Sequence, residues 1–237
     1  MSGWKPKRFW KTVTVHPHAD GFTVHLDARQ AKTPGKQPLI LPTRAMAEAV
    51  AKEWDAQHGP LKPETMPFTR AANSAIDKVT PQFDAIVADL ASYGGTDLLC
   101  YRATDPEGLV ARQNEGWNPL LDWSATALDA PLAAVPGVMF IAQSPASLTR
   151  LQGHVAAMTP CQITGFHDLV QLSGSLVLAL AVTHRRLTPD DAWSLSRIDE
   201  TWQIEAWGAD EDAAALIETK RLAFHQAVAF WSVSTQN

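Results

Sequence analysis

The strongest pairing of reactive side chains in this sequence is His167-Asp168. An adjacent His and Asp on a helix are central to helical metal-dependent phosphohydrolases, where a further His and an Asp from a later helix complete the metal shell. His154 and Asp190 are available for those places, but their spacing is not distinctive. Asp168 is flanked by Phe166, Leu169 and Val170, a setting that suits a paired structural carboxylate equally well. Ser173-Gly174-Ser175 lies within an apolar helix without a Gly-x-Ser-x-Gly elbow, so its small residues serve close packing better than nucleophilic attack. His16 and His18 share one side of a strand, with His25 nearby, and read as surface histidines rather than a metal site. No Cys pair has metal-ligand spacing, and the Gly94-Gly95 pair lacks the Lys-Ser or Lys-Thr of a phosphate cradle. No catalytic, metal or cofactor residue is therefore assigned.

The other concentration of reactive groups is carboxylate and aromatic, in Thr188–Gly208, TPDDAWSLSRIDETWQIEAWG. Thr188 suits an N-cap, Pro189 the first helical position, and Asp190 and Asp191 the positive end. Gly208 is placed to stop the helix. Leu195, Ile198, Trp202 and Ala206 follow one helical stripe, while Trp193, Glu200 and Trp207 share a second. Asp199 and Glu205 flank the first stripe. A carboxylate beside a tryptophan stripe is costly to bury unless paired. Two readings follow: a core helix whose carboxylates are satisfied internally, or an acidic, aromatic surface for a partner.

The elements around these groups fall into two parts. Val13 and Val15, then Phe22, Val24 and Leu26, alternate with polar residues across the Ala19-Asp20-Gly21 turn, and Leu39-Ile40-Leu41 is a third strand. A helix capped by Thr43, with Met46, Val50 and Trp54 inward, covers the sheet, and Trp54 is read as the core link. The proline-rich run from Leu61 to Thr65 marks a boundary, giving domains 1–62 and 63–237. Beyond it a capping residue followed by Pro recurs at Thr80, Asp105, Ser144, Thr159 and Thr188. Helices are predicted over 81–92, 106–129, 145–157, 160–184, 189–207 and 210–231. Leu98–Tyr101 and Val135–Ile141 look extended. Pro119 would kink its helix. The fold class is α+β: a small antiparallel-sheet and helix domain, then a larger helical bundle built around the apolar run at 169–182.

Composition excludes several functions. The net charge of −5 recommends neither nucleic acid nor an anionic membrane, and the basic cluster Lys5, Lys7, Arg8 and Lys11 is too short to argue otherwise. The longest apolar run, Leu176–Val182, is far short of the roughly 20 residues a spanning helix needs. Cys100 and Cys161 read as buried, reduced thiols.

Motifs spread nearly end to end then carry a resemblance. They are Arg8-Phe9-Trp10-Lys11, Leu26-Asp27, Lys32-Thr33-Pro34, Leu41-Pro42-Thr43, Glu53-Trp54-Asp55-Ala56-Gln57, and Met66-Pro67-Phe68-Thr69-Arg70 with Asn73. They continue with Thr96-Asp97-Leu98-Leu99-Cys100-Tyr101-Arg102, Trp117-Asn118-Pro119-Leu120, Leu195-Ser196-Arg197 and Trp202-Gln203-Ile204-Glu205-Ala206-Trp207-Gly208. In order and spacing the chain resembles the soluble assembly chaperones of the F-one catalytic sector of ATP synthase, those that hold the free alpha subunit. The resemblance implies a small α/β domain followed by a helical one, no catalysis, and no cofactor. It implies binding of the unassembled alpha subunit until the beta subunit replaces it. Partner contact is expected at Glu205 and Glu200, then Asp199, with Gln203, Trp202 and Trp207. A monomer is expected, and the bacterial cytoplasm is expected because the mitochondrial relatives carry a targeting sequence and this chain begins almost at the shared core. The alternatives are the His167/Asp168 phosphohydrolase and a holdase without a dedicated client.

Overall fold

The computed structural model describes residues 7–208 and 210–236, so Lys5 of the basic cluster lies outside the described residues. Two compact units emerge. The first comprises Met1–Phe83, Thr159–Gly165 and Ala229–Asn237, and the second Asp84–Met158 and Phe166–Val228.

In the first unit, β1 (Val13–His18) and β2 (Gly21–Leu26) form an antiparallel hairpin, in register from Val13↔Leu26 to His18↔Gly21. Gly21 has φ +139°, and a Cβ there would lie 2.3 Å from the Leu41 carbonyl oxygen, so only glycine fits. The same strand pairs with β3 (Arg29–Gln30) and β4 (Ile40–Leu41). Val24 and Leu26, one face of the pleat, are buried, and Val24 packs with Met46, Ala47 and Val50 of α1 (Arg44–Asp55). Thr43 caps α1 as its position predicted: its Oγ1 accepts from the Met46 N–H at 3.1 Å and donates to the Val233 carbonyl at 2.6 Å.

Residues 63–83, which the sequence boundary gives to the second part, belong to the first unit. The reason is visible at Glu53 on α1. Its carboxylate accepts from the Phe68 N–H, the Thr69 N–H and the Thr69 hydroxyl, each at 2.7 Å, and so caps α2 (Pro67–Ser74). Burial pushes the Glu53 carboxyl up against the pull of those donors. Trp54 differs from expectation: it is half-buried on the edge of the core, and it meets edge-on, at 5.1 Å, the buried indole of Trp10.

The second unit is helical: α3 (Phe83–Ser92), α4 (Glu107–Ala127), α5 (Pro145–Ala156), most of α6 (Pro160–Ser173), α7 (Leu176–Thr183), α8 (Pro189–Ser196), α9 (Ile198–Trp207) and most of α10 (Glu211–Ser234). Every residue from Leu176 to Val182 is buried, as its apolar sequence predicts. The α+β class is the one observed.

Several predicted spans break. The helix expected over 160–184 stops at Gly174, φ +68°, and restarts at Ser175, whose Oγ accepts from the Leu178 N–H at 3.0 Å. The helix expected over 189–207 breaks at Arg197 (φ −118°, ψ 17°). Just before it, Ser196 turns its hydroxyl back onto the Trp193 carbonyl at 2.7 Å. Thr80 is not a cap; its hydroxyl bonds the Ala75 carbonyl at 2.8 Å, within a helical path that continues through π and 3-10 turns from α2 to α3. Leu98–Cys100 is a 3-10 turn, and the extended run at 135–141 shrinks to β6 (Val135–Pro136), parallel to β5 (Tyr101–Arg102).

Candidate functional site

The acidic, aromatic segment lies on α9, which packs along α4. Three α4 residues at four-residue intervals, Gly108, Arg112 and Gly116, share one face and receive it. A Cβ on Gly108 would meet the Trp202 ring at 2.7 Å, and one on Gly116 would meet Leu195 at 2.8 Å and Ile198 at 3.0 Å. The two glycines let the helices approach, and the arginine between them fills the contact. Its Nη1 donates to Glu205 Oε1 at 3.0 Å and its Nη2 to Glu205 Oε2 at 2.8 Å, a two-pronged pair. The same guanidinium lies over the Trp202 ring, 5.1 Å from its centroid. Arg112 holds the Glu205 carboxyl below its ordinary value and is itself held up by it.

The other carboxylates are also paired. Gln113 Nε2 donates to Asp199 Oδ1 at 2.6 Å, and Arg197 Nη1 lies 2.9 Å from Glu200 Oε1. Trp117 adds an indole N–H to the Leu195 carbonyl at 2.9 Å. The sequence singled out α9 but missed Arg112, Gln113 and the two glycines. The Gly-x3-Arg-x3-Gly spacing on α4 was the signal that could have found them.

The two stripes read from sequence are not both core. Trp193 and Ile198 are buried and Trp202 is half-buried. Gln203, Ile204, Glu205, Ala206 and Trp207 are exposed, Trp207 by 80%. The break at Arg197 rotates the later residues out of the phase set by α8. Beside them a groove of about 320 Å³ is lined by the apolar Trp193, Ile198, Ile204 and Ile217 and by the charged Arg112, Arg197 and Glu200.

The other candidate chemistry disperses. His167 Nδ1 meets Asp168 Oδ1 at 3.1 Å near the surface, while His154 packs on His184, and Asp190 pairs with His225 at 3.0 Å. His16 and His25 are in ring contact at 4.4 Å on the exposed sheet face. Among the described residues, no three His, Cys, Asp or Glu side chains converge where they could hold a metal. Nor is any described helix long and apolar enough to cross a membrane.

The described residues thus combine a small sheet-and-helix unit, a helical unit and an exposed helix of tryptophan and carboxylates. The chain superposes on the crystal structure of Atp12 from Paracoccus denitrificans with a TM-score of 0.95 and 51% identity, covering 98% of this chain and 99% of that one. It superposes on the Atu1473 protein from Agrobacterium tumefaciens with a TM-score of 0.90 and 39% identity, covering 96% of this chain and 86% of that one. It is 24% identical over 221 residues to the mitochondrial protein atp12 of Schizosaccharomyces pombe, covering 87% of this chain and 75% of that protein. Residues 7–125 match the model of the ATP12 chaperone protein family, and the chain belongs to that family.

Proposed function

We propose that this chaperone acts in assembly of ATP synthase in the bacterial cytoplasm, binding the unassembled alpha subunit through α9 until the beta subunit takes its place. Membership in the ATP12 family supports the class. The observation that carries the site is Trp207, 80% exposed on a helix that also presents Ile204, Gln203 and Glu205 to solvent. A large aromatic left in water on an ordered helix suits a partner's pocket, because it offers wide contact area at small entropic cost. Glu205 and Glu200 form the acidic rim and attract a client surface rich in positive charge. Asp199, tied to Gln113, positions the helix. The Arg112–Glu205 pair reaches solvent, so a client guanidinium can compete with Arg112 for the carboxylate. Release follows from competition, since the beta subunit covers the same apolar interface on its partner.

Affinity capture of the native protein from its own cell extract tests this. Recovery of alpha subunit without beta is expected. Recovery of many unrelated unfolded proteins in equal measure would replace the reading with a general holdase.

A further inference from the structure

A second exposed apolar feature stands apart from α9. Val138, Met139 and Phe140 are consecutive and 90%, 77% and 66% exposed. Their chain segment is fastened at its base. The buried Gln143 side chain accepts from the Ala133 N–H at 2.8 Å and donates to the Ala133 carbonyl at 2.9 Å, closing residues 133–143 into a loop. Ser147 Oγ holds the Pro131 carbonyl at 2.6 Å. On the other limb, β6 pairs with β5, and the Gly137 N–H donates to the Arg102 carbonyl at 2.7 Å. Arg102 is itself fixed: its Nε donates to the Leu99 carbonyl at 2.8 Å, and its guanidinium lies over Trp117 at 5.3 Å. Three large apolar side chains are thus held out on a braced finger.

We propose that this finger is a second contact point for the same client, seating Met139 and Phe140 on an apolar interface of the unassembled alpha subunit. The inference rests on the α-subunit reading above. Continuity with α9 supports it. The Ala103 N–H, next to the residue that holds Gly137, donates to Gln113 Oε1 at 2.8 Å, and the other end of that amide holds Asp199 on α9 at 2.6 Å. Finger base and acidic helix are therefore set by one buried glutamine. Charge narrows the occupant further. From Ala130 to Thr149 the sequence has no charged residue, so the finger offers nothing to an anionic lipid surface and suits an apolar protein face. Methionine adapts to an imperfect pocket and phenylalanine supplies area. Two linked contact points on one client multiply affinity, so removing one is expected to weaken binding more than ten-fold.

The test is the dissociation constant for purified alpha subunit, kept free of beta, with the wild type, the Met139→Ser/Phe140→Ser double variant, Phe140→Leu and Trp207→Ser. The double variant is expected to keep its melting temperature and lose at least ten-fold in affinity, with Phe140→Leu close to wild type. Should wild type bind and Trp207→Ser weaken binding while the double variant stays within two-fold, the finger inference alone falls. If wild type fails to bind alpha subunit, the α-subunit reading falls and takes this inference with it. Binding to phosphatidylglycerol vesicles, or a dimer in solution, that the double variant abolishes at unchanged alpha-subunit affinity would give the finger to lipid or to a second copy, and overturn it.

Discussion

Asp97 ties together distant parts of the second unit, and replacing it gives a sharp test of how that unit is held. Its carboxylate is fully buried. It accepts from the Leu99 N–H at 3.0 Å, the Ser175 hydroxyl at 2.7 Å and the Val177 N–H at 3.0 Å. The last two lie at the start of α7, whose first-turn N–H groups have no partner within their own helix. Asp97 thus supplies, from a distant turn, the acceptor oxygens that the break at Gly174 leaves the new helix needing. Burial pushes its carboxyl up, and the donors pull against that. Asp97→Ala strands these donors in a dry interior at about 1–3 kcal/mol each, partly offset because the desolvation cost of the carboxyl goes with it. The net expectation is a loss of about 3–5 kcal/mol. Asp97→Asn keeps one acceptor oxygen but turns an amide N–H toward a donor, and about 2 kcal/mol is expected. Urea unfolding measures both, reading the midpoint at unchanged slope. A loss under about 1 kcal/mol for Asp97→Ala would show that water or a rearranged helix end satisfies these groups, and would refute the reasoning.

Further expectations follow from the same geometry. Glu205 should titrate below its ordinary 4.5, because Arg112 donates to both carboxylate oxygens, and Arg112→Ala should return it there. Since the folded value is depressed, the pair's contribution is complete above 4.5 and lost as pH falls through the folded value. Carboxyl-detected NMR reads this directly, and an unshifted Glu205 would contradict the pairing. His167 should titrate above 6.5, raised chiefly by its hydrogen bond to Asp168, so its contribution is complete below 6.5 and lost as pH rises through the folded value. Asp168→Asn should lower it, and imidazole NMR that shows no change would remove that bond. Trp10→Ala should cost about 3–5 kcal/mol as an enclosed indole, and distinctly more than Trp54→Ala at the half-buried neighbour. Equal losses in the melting temperature would return Trp54 to the core.

Much of the fold was legible where one local rule decided the outcome. The β1–β2 hairpin follows from alternation and the Gly21 turn, the start of α1 from Thr43, and the burial of α7 from its unbroken apolar run. Thr188 caps α8 through the Asp191 N–H at 3.1 Å, and Gly208 ends α9 at φ +91°. Local rules failed where a distant side chain took over. Nothing near 97 announces that Asp97 will cap α7, and nothing near 53 announces that Glu53 will cap α2 and draw it into the first unit. Thr80-Pro81 has the look of a helix start, but its hydroxyl is used backward on Ala75. At the site, α9 was legible as acidic and aromatic. Its solvent-facing half was not, because the stripe was phased through Arg197, where the backbone leaves the helix. The finger at Val138–Phe140 gave only an extended signal, since exposure is a property of what fails to pack there.

On the proposed function, the solvent-facing half of α9 holds free alpha subunit. The most direct measurement is equilibrium binding of purified alpha subunit to wild type and Trp207→Ser, followed by addition of beta subunit. Trp207 is expected to behave as an anchor worth about 2 kcal/mol or more, roughly thirty-fold in affinity, with an unchanged fold because the ring is 80% exposed. Beta subunit should then release the chaperone from alpha. Equal binding by both proteins, or a stable complex retaining chaperone, alpha and beta together, would contradict the account.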